Sequence, residues 1–119
     1  MKTNKADFDL FEEQCWKWIN TFSLNHIEFF FVHEDIGEDA NATYDIGYSG
    51  MNCVIALGTE ICMTGVNDKT KFIKRIAFHE IAEILISPLR AIAISRNFSE
   101  EELEAETHSI IHRLQRVLL

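Results

Sequence analysis

The chain lacks the features that mark secreted and membrane proteins. Its only cysteines, Cys15, Cys53 and Cys62, are odd in number and form no CxxC pair, so we expect reduced thiols in a cytoplasmic protein. A bridge between Cys53 and Cys62 is the alternative left open. No run of about 18 apolar residues occurs, so no membrane span is expected. Acidic residues stand early in the chain where a signal peptide would have its apolar segment, so we expect no secretory signal.

Basic residues are also scarce. The 119 residues include 11 Lys and Arg against 19 Asp and Glu, which gives a formal net charge of −8. Because binding to a phosphate backbone depends on Lys and Arg, this balance argues against a nucleic-acid-binding protein. We therefore expect neither nucleic acid nor a membrane among the partners, while the oligomeric state stays open.

Length and hydrophobic content are sufficient for a single domain over residues 1–119. Hydrophobic residues make up 47% of the chain, and nine Phe and two Trp supply bulk for a core. A chain of this size buries somewhat under about 70% of its unfolded surface, which is enough to fold without disulfides.

The periodicity of apolar residues predicts an α+β fold with an antiparallel or mixed sheet. An amphipathic pattern over residues 7–22 predicts the first helix. The predicted strands are short apolar runs at residues 27–33, 42–48 and 52–57, the last central, with 61–64 left as a fourth strand or an extended loop. A central helix at residues 72–86 ends near Ser87-Pro88, residues 89–96 are a candidate for a short separate helix, and Ser99 opens the last helix.

The segment His79-Glu80-Ile81-Ala82-Glu83 places ionisable groups in the middle of the central helix. His79 and Glu83 are one turn apart and leave the same helix face. We expect that face to look inward, towards the last helix. The opposite side carries a second apolar stripe, made of Ile73, Ala77, Ile81, Ile84 and Leu85. Because buried charges need partners, a metal ion is one candidate.

The segment differs by one residue from the HExxH signature of zinc metalloproteases, with Glu83 in place of the second His. Carboxylates are legitimate zinc ligands, so His79 and Glu83 are predicted metal ligands, and Glu80 is the predicted catalytic residue that activates water. A third ligand must come from elsewhere, and the last helix offers Glu104 and His108. Helix position slightly favours Glu104, whereas ligand chemistry favours His108.

The runs AFHEIAEILISPLRAIA and SEEELEAETHSIIHRLQRVL resemble a family of small phage and prophage metallopeptidases of minimal zincin type. The resemblance extends from about Phe11 to Leu118. His79 and Glu80 match the family motif directly, and His108 matches the His of its C-terminal segment, whereas Glu83 departs from it. The resemblance implies a zincin-like fold with an N-terminal helix, a sheet of three or four strands, a motif helix and a C-terminal helix. It also implies a zinc-dependent hydrolase that acts on a peptide or protein substrate.

Two other interpretations stay open. In the first, the fold is retained but turnover is lost through the His-to-Glu change, and the chain is a protein-binding module whose acidic surface, including residues 34–41, meets a basic partner. In the second, His79 pairs with Glu83, with His108 or Arg113 as a further partner, in a polar network that holds no metal, which is acceptable where every group is satisfied.

Overall fold

Three helices and one small sheet make up the structure, a computed structural model that describes residues 1–65, 67–95, 97 and 99–119. In chain order the elements are α1 (Lys5–Thr21), β1 (Glu28–Glu34), β2 (Ala42–Gly47), β3 (Asn52–Gly58), α2 (Lys69–Ile94) and α3 (Glu100–Leu118). The predicted α+β class is confirmed, and the first helix and three strands lie close to their predicted positions. Within the described ranges, none of the helices combines the length and apolar character that a bilayer crossing requires.

The three strands form a mixed sheet in the order β1-β3-β2. β3 runs parallel to β1 and antiparallel to β2, and its Ile55 pairs with Phe31 on one side and Tyr44 on the other. The mostly apolar β3 is therefore the central strand, as its composition predicts. Among the described residues β2 pairs with β3 alone, which leaves one edge of β2 open.

Residues 61–64 form an extended loop, the second of the two alternatives left open by the sequence. The backbone N–H of Ile61 donates to the Met1 carbonyl at 2.7 Å. The N–H of Cys62 donates to the Asn41 side chain at 2.9 Å. Because these contacts already satisfy the backbone donors of Ile61 and Cys62, the segment needs no neighbouring strand there.

One face of the sheet is covered by α1 and α2. The fully buried side chains at this interface are Phe11, Cys15 and Ile19 of α1, Cys53, Ile55 and Leu57 of β3, and Ile73, Ala77 and Ile81 of α2. Burying one large aliphatic side chain contributes about 1.5–3 kcal/mol, so this contact fixes the rotation of α2 about its axis. All three cysteines are free, so the bridge between Cys53 and Cys62 is not formed. α3 packs on α2 without burying any of its described residues fully.

α2 continues through Pro88 to Ile94, so the predicted helix end at Ser87-Pro88 and the separate helix over residues 89–96 are both wrong. Arg96, the last residue of that predicted helix, lies outside the described residues. Proline usually interrupts a helix because it cannot donate to the carbonyl four residues earlier, here that of Ile84. The buried Ser87 hydroxyl donates to this carbonyl instead, at 2.7 Å. The carbonyl keeps a partner and the helix continues.

We expect Ser87→Ala to lower the free energy of unfolding by about 1–3 kcal/mol, because the buried Ile84 carbonyl loses its donor. Urea denaturation of the parent and the variant measures this loss. The matched control is the same change in a Pro88→Ala background, where the new backbone N–H at position 88 can donate to the Ile84 carbonyl. The loss should be much smaller there, and equal losses in the two backgrounds would contradict this account.

Candidate functional site

The face of α2 that packs into the protein carries Glu80, whereas His79 and Glu83 lie on the outer side. Glu80 is only 7% exposed, while the side chains of His79 and Glu83 are 68% and 44% exposed. The expectation that His79 and Glu83 look inward towards the last helix is therefore wrong. The predicted apolar stripe on the other side of the helix is buried, with Ile73, Ala77, Ile81, Ile84 and Leu85 at 5% exposure or less.

The spacing of the apolar residues explains this orientation. Steps of four, three and four residues connect Ile73, Ala77, Glu80 and Ile84, so all four lie along one line of the helix. Three members of this line are aliphatic, and their packing carries the carboxylate into the core with them. The spacing of these apolar residues in the sequence therefore predicts that Glu80 is buried. The HExxH motif, by contrast, suggests burial of the ligand positions His79 and Glu83.

His79, Glu80 and Glu83 nevertheless form one cluster. His79 Nε2 and Glu83 Oε1 are 3.1 Å apart and share a hydrogen bond. The three residues each offer a nitrogen or oxygen atom, and these atoms all lie within 4.8 Å of one another. Among the described residues, no other group of three His, Cys, Asp or Glu side chains comes this close. One helical turn therefore brings together the ligand atoms of an imidazole and two carboxylates, one of them from the buried face.

A cleft of about 370 Å³ opens beside the cluster, and both Glu80 and His79 line it. It lies between α2 and the segment that leads into β2. The other lining residues are Ala40, Asn41 and Ala42 from that segment and Phe72, Arg75 and Ile76 from α2. The cleft gives a small molecule or an extended peptide access to a carboxyl group that is otherwise buried.

Burial dominates the electrostatics of the site. Burial, and then the neighbouring Glu83 carboxylate, raise the pKa of Glu80 to about 7, because both disfavour the ionised form. Tyr44 on β2 pairs with the buried Ile55 and so lies on the sheet face that the helices cover; burial, and then the charge of Glu83, raise its pKa. Burial raises the pKa of Cys53 to about 11 and that of Cys15 as well. Both cysteines are therefore neutral thiols near neutral pH, buried in the core.

The structure does not bring the predicted third ligands, Glu104 and His108, to the cluster. Both side chains are exposed on α3, and among the described residues neither belongs to the metal-ligating group. The His108 ring instead stacks on His112 with a centroid separation of 6.3 Å. The half-buried side of α3 includes Leu103, Glu106, Ile110 and Arg113. Glu104 and His108 are not on this side of the helix.

Comparison of the chain with protein-family models, with curated protein sequences and with solved structures gave no significant match. The resemblance to phage metallopeptidases therefore stays a prediction from the sequence, and the site has to be interpreted from its own geometry.

We expect Glu80 to make the folded protein less stable as the pH rises from about 4.5 to about 7. The folded chain keeps the Glu80 proton up to a pH of about 7, whereas the unfolded chain releases it near the ordinary value of 4.5. Over this window the folded state binds more protons, so the free energy of unfolding falls as the pH rises. The total loss is on the order of 3 kcal/mol. Glu80→Gln should therefore be more stable than the parent above neutral pH, with a difference that disappears in mild acid.

Urea denaturation across this pH range, with a chelator present to remove metal, measures the effect. The matched control is Glu101→Gln, which changes an exposed carboxylate in the first turn of α3 and should leave the pH profile unchanged. A stability difference between parent and Glu80→Gln that does not vary with pH would contradict the burial of an ionisable carboxyl.

Proposed function

We propose that this protein is a metal-dependent hydrolase of the metallopeptidase type, with a divalent metal ion, zinc by ligand chemistry, on His79 and Glu83 and water activated by Glu80. One observation supports this most: an imidazole and two carboxylates present ligand atoms within 4.8 Å of one another beside a cleft.

The donor set fits a divalent cation. Imidazole nitrogen and carboxylate oxygen are both ordinary zinc ligands. Their atoms are 3.1 Å apart and the side chains are exposed, so a cation can replace the shared proton without entering the core. The helix holds the two groups in place, because they stand one turn apart on a rigid element. His79 and Glu83 would hold the cation, since the described residues of α3 add no ligand here.

Glu80 has the properties of a general base. When bound, a divalent cation supplies Lewis-acid activation of water and of a substrate carbonyl. Glu80 lies next to the proposed ligands with its carboxyl on the cleft. It would accept the proton of the attacking water and return it to the leaving amine. In the metal-free protein its pKa is raised to about 7; the charge of a bound cation would lower this value and so favour the carboxylate form that can accept a proton.

The open edge of β2 supports a peptide as the substrate. The strand begins at Ala42, which lines the cleft, and Tyr44 on the same strand pairs with the buried Ile55 and so lies on the sheet face that the helices cover. An extended peptide can add to such an edge through main-chain hydrogen bonds, as in other cases of strand addition. A peptide bound in this way would pass the His79-Glu80-Glu83 cluster in an extended conformation.

We expect untagged protein to bind zinc stoichiometrically and to cleave a mixture of quenched fluorescent peptides. Glu83→Gln and His79→Ala should each weaken zinc binding by more than about tenfold, because each removes a ligand. Glu80→Gln should retain zinc but lower kcat/KM by about 10²–10⁴. Calorimetric zinc titration and the peptide assay measure the two effects separately.

The matched control is His108→Ala, which removes an exposed imidazole outside the cluster. It should leave zinc affinity unchanged, whereas a loss equal to that of His79→Ala would place a ligand on α3. Absence of stoichiometric zinc in the parent protein would refute the proposed function.

A second candidate is a protein-binding module of the same fold that has lost turnover. It is favoured by the exposure of His79 and Glu83 and by the absence of a donor from the described part of α3. Glu83→His, which restores HExxH, separates the two candidates. Zinc binding and proteolysis in both proteins support the hydrolase, whereas their appearance in the variant alone supports the inactive module.

A further inference from the structure

A second groove, of about 430 Å³, lies between α1 and α2 and contains a concentration of positive charge. We call it the basic groove. It is lined by Gln14, Lys17 and Trp18 of α1 and by Lys71, Lys74, Arg75, Phe78 and His79 of α2. No acidic residue is among these lining side chains. In a chain with a net charge of −8, such a local concentration of cations is unexpected.

Helical spacing produces the basic groove. On α2, Lys71, Lys74, Arg75 and Phe78 follow one another at steps of three, one and three residues, which places them on one outward face. On α1, Gln14 stands three and four residues before Lys17 and Trp18, so these three also share a face. Since α1 packs on α2, the two faces meet and form the walls of the basic groove.

The cations of the basic groove are not neutralised within the described part of the chain. None of Lys17, Lys71, Lys74 and Arg75 belongs to its ion pairs. Lys69, just before the groove residues on α2, differs in this respect, because its ammonium group lies 2.6 Å from the Asp7 carboxylate. Like charges gathered on neighbouring turns repel one another, so an anionic ligand would relieve this repulsion.

Aromatic rings add an apolar surface to the basic groove. Trp18 and Phe78 meet edge to face with centroids 4.9 Å apart. Phe78 is 43% exposed, so part of its ring is free to contact a ligand, as apolar surface at binding sites commonly is. The Lys17 ammonium lies over the Trp18 ring at 4.8 Å. The basic groove can therefore accept an apolar side chain and hold carboxylates beside it.

We propose that the basic groove binds a short acidic peptide segment of a partner protein, with its carboxylates on the lysines and Arg75 and an apolar side chain on Trp18 and Phe78. A nucleic acid fits less well, because a long polyanion is repelled by the remaining surface of a chain with a net charge of −8. A short acidic segment meets only the local cations. Arg75 and His79 line both the basic groove and the cleft beside the cluster, so the two sites are neighbours. The contacts proposed here use the lysines, Arg75 and the two rings, go beyond the proposed hydrolase, and need neither a metal nor turnover.

Fluorescence anisotropy tests the proposal with three labelled probes of equal length: a peptide of alternating Glu and Leu, its counterpart with Gln for every Glu, and oligo(dT). We expect saturable, salt-sensitive binding of the Glu peptide and affinity lower by about tenfold or more for the Gln peptide, since several exposed ionic contacts are lost. The double variant Lys71→Gln/Lys74→Gln should weaken binding of the Glu peptide by about tenfold on the same reasoning.

The matched control is Lys2→Gln/Lys5→Gln, which removes the same charge from exposed positions outside the basic groove and should change affinity little. Circular dichroism shows that each variant is folded. The proposal would be overturned if the Glu and Gln peptides bound with equal affinity, or if neither bound. It would also be overturned if the control variant lost as much affinity for the Glu peptide as Lys71→Gln/Lys74→Gln, or if oligo(dT) bound more tightly than the Glu peptide.

Discussion

The packing of one face of α2 against the sheet is the contact on which the rest of the structure depends. Ile73, Ala77 and Ile84 hold this face in the core with at most 1% exposure each, and β3 contributes the fully buried Ile55 to the same core. Once the helix is fixed in this rotation, Glu80 must lie in the same line and become buried. The same rotation turns His79 and Glu83 outward, so the core determines which group is protected from water and which groups remain accessible.

At Glu80 the stability of the folded protein is opposed to the proposed catalytic role. A buried carboxyl with a raised pKa destabilises the folded protein at neutral pH, and an apolar or amide side chain would be tolerated better there. Natural proteins keep such groups most often where the chemistry of a site requires them. Ser87 is a different case, because its buried hydroxyl replaces the donor that Pro88 lacks and so supports the continuation of α2 to Ile94.

Much of the fold follows from the sequence, because periodicity and composition are local signals. The sequence alone predicts three of these features: the amphipathic pattern of α1, the apolar β3 and the apolar stripe from Ile73 to Leu85. The passage of α2 through Pro88 is not, since it depends on one hydroxyl contact. The loop at residues 61–64 likewise depends on the N-terminal residues, which are distant in sequence.

Of the five residues predicted for the candidate site, the three on α2 lie together in the structure, but their orientation is not predictable from the motif. Motif spacing identifies His79, Glu80 and Glu83, and the structure keeps them together. Motif spacing does not identify which of them is buried, because the flanking apolar residues decide this by their steps along the helix. The prediction of Glu104 and His108 fails for the same reason. Both residue types can bind a metal, but on α3 their side chains are exposed and lie away from the cluster.

The burial of Glu80 is tested most directly by following its side-chain carboxyl carbon by NMR while the pH of metal-free protein is changed. Glu80→Gln identifies the resonance, because only that signal disappears. We expect a titration midpoint near 7. A midpoint near the ordinary value of 4.5 would show a carboxyl open to water and would contradict the rotation of α2 on which the site is built.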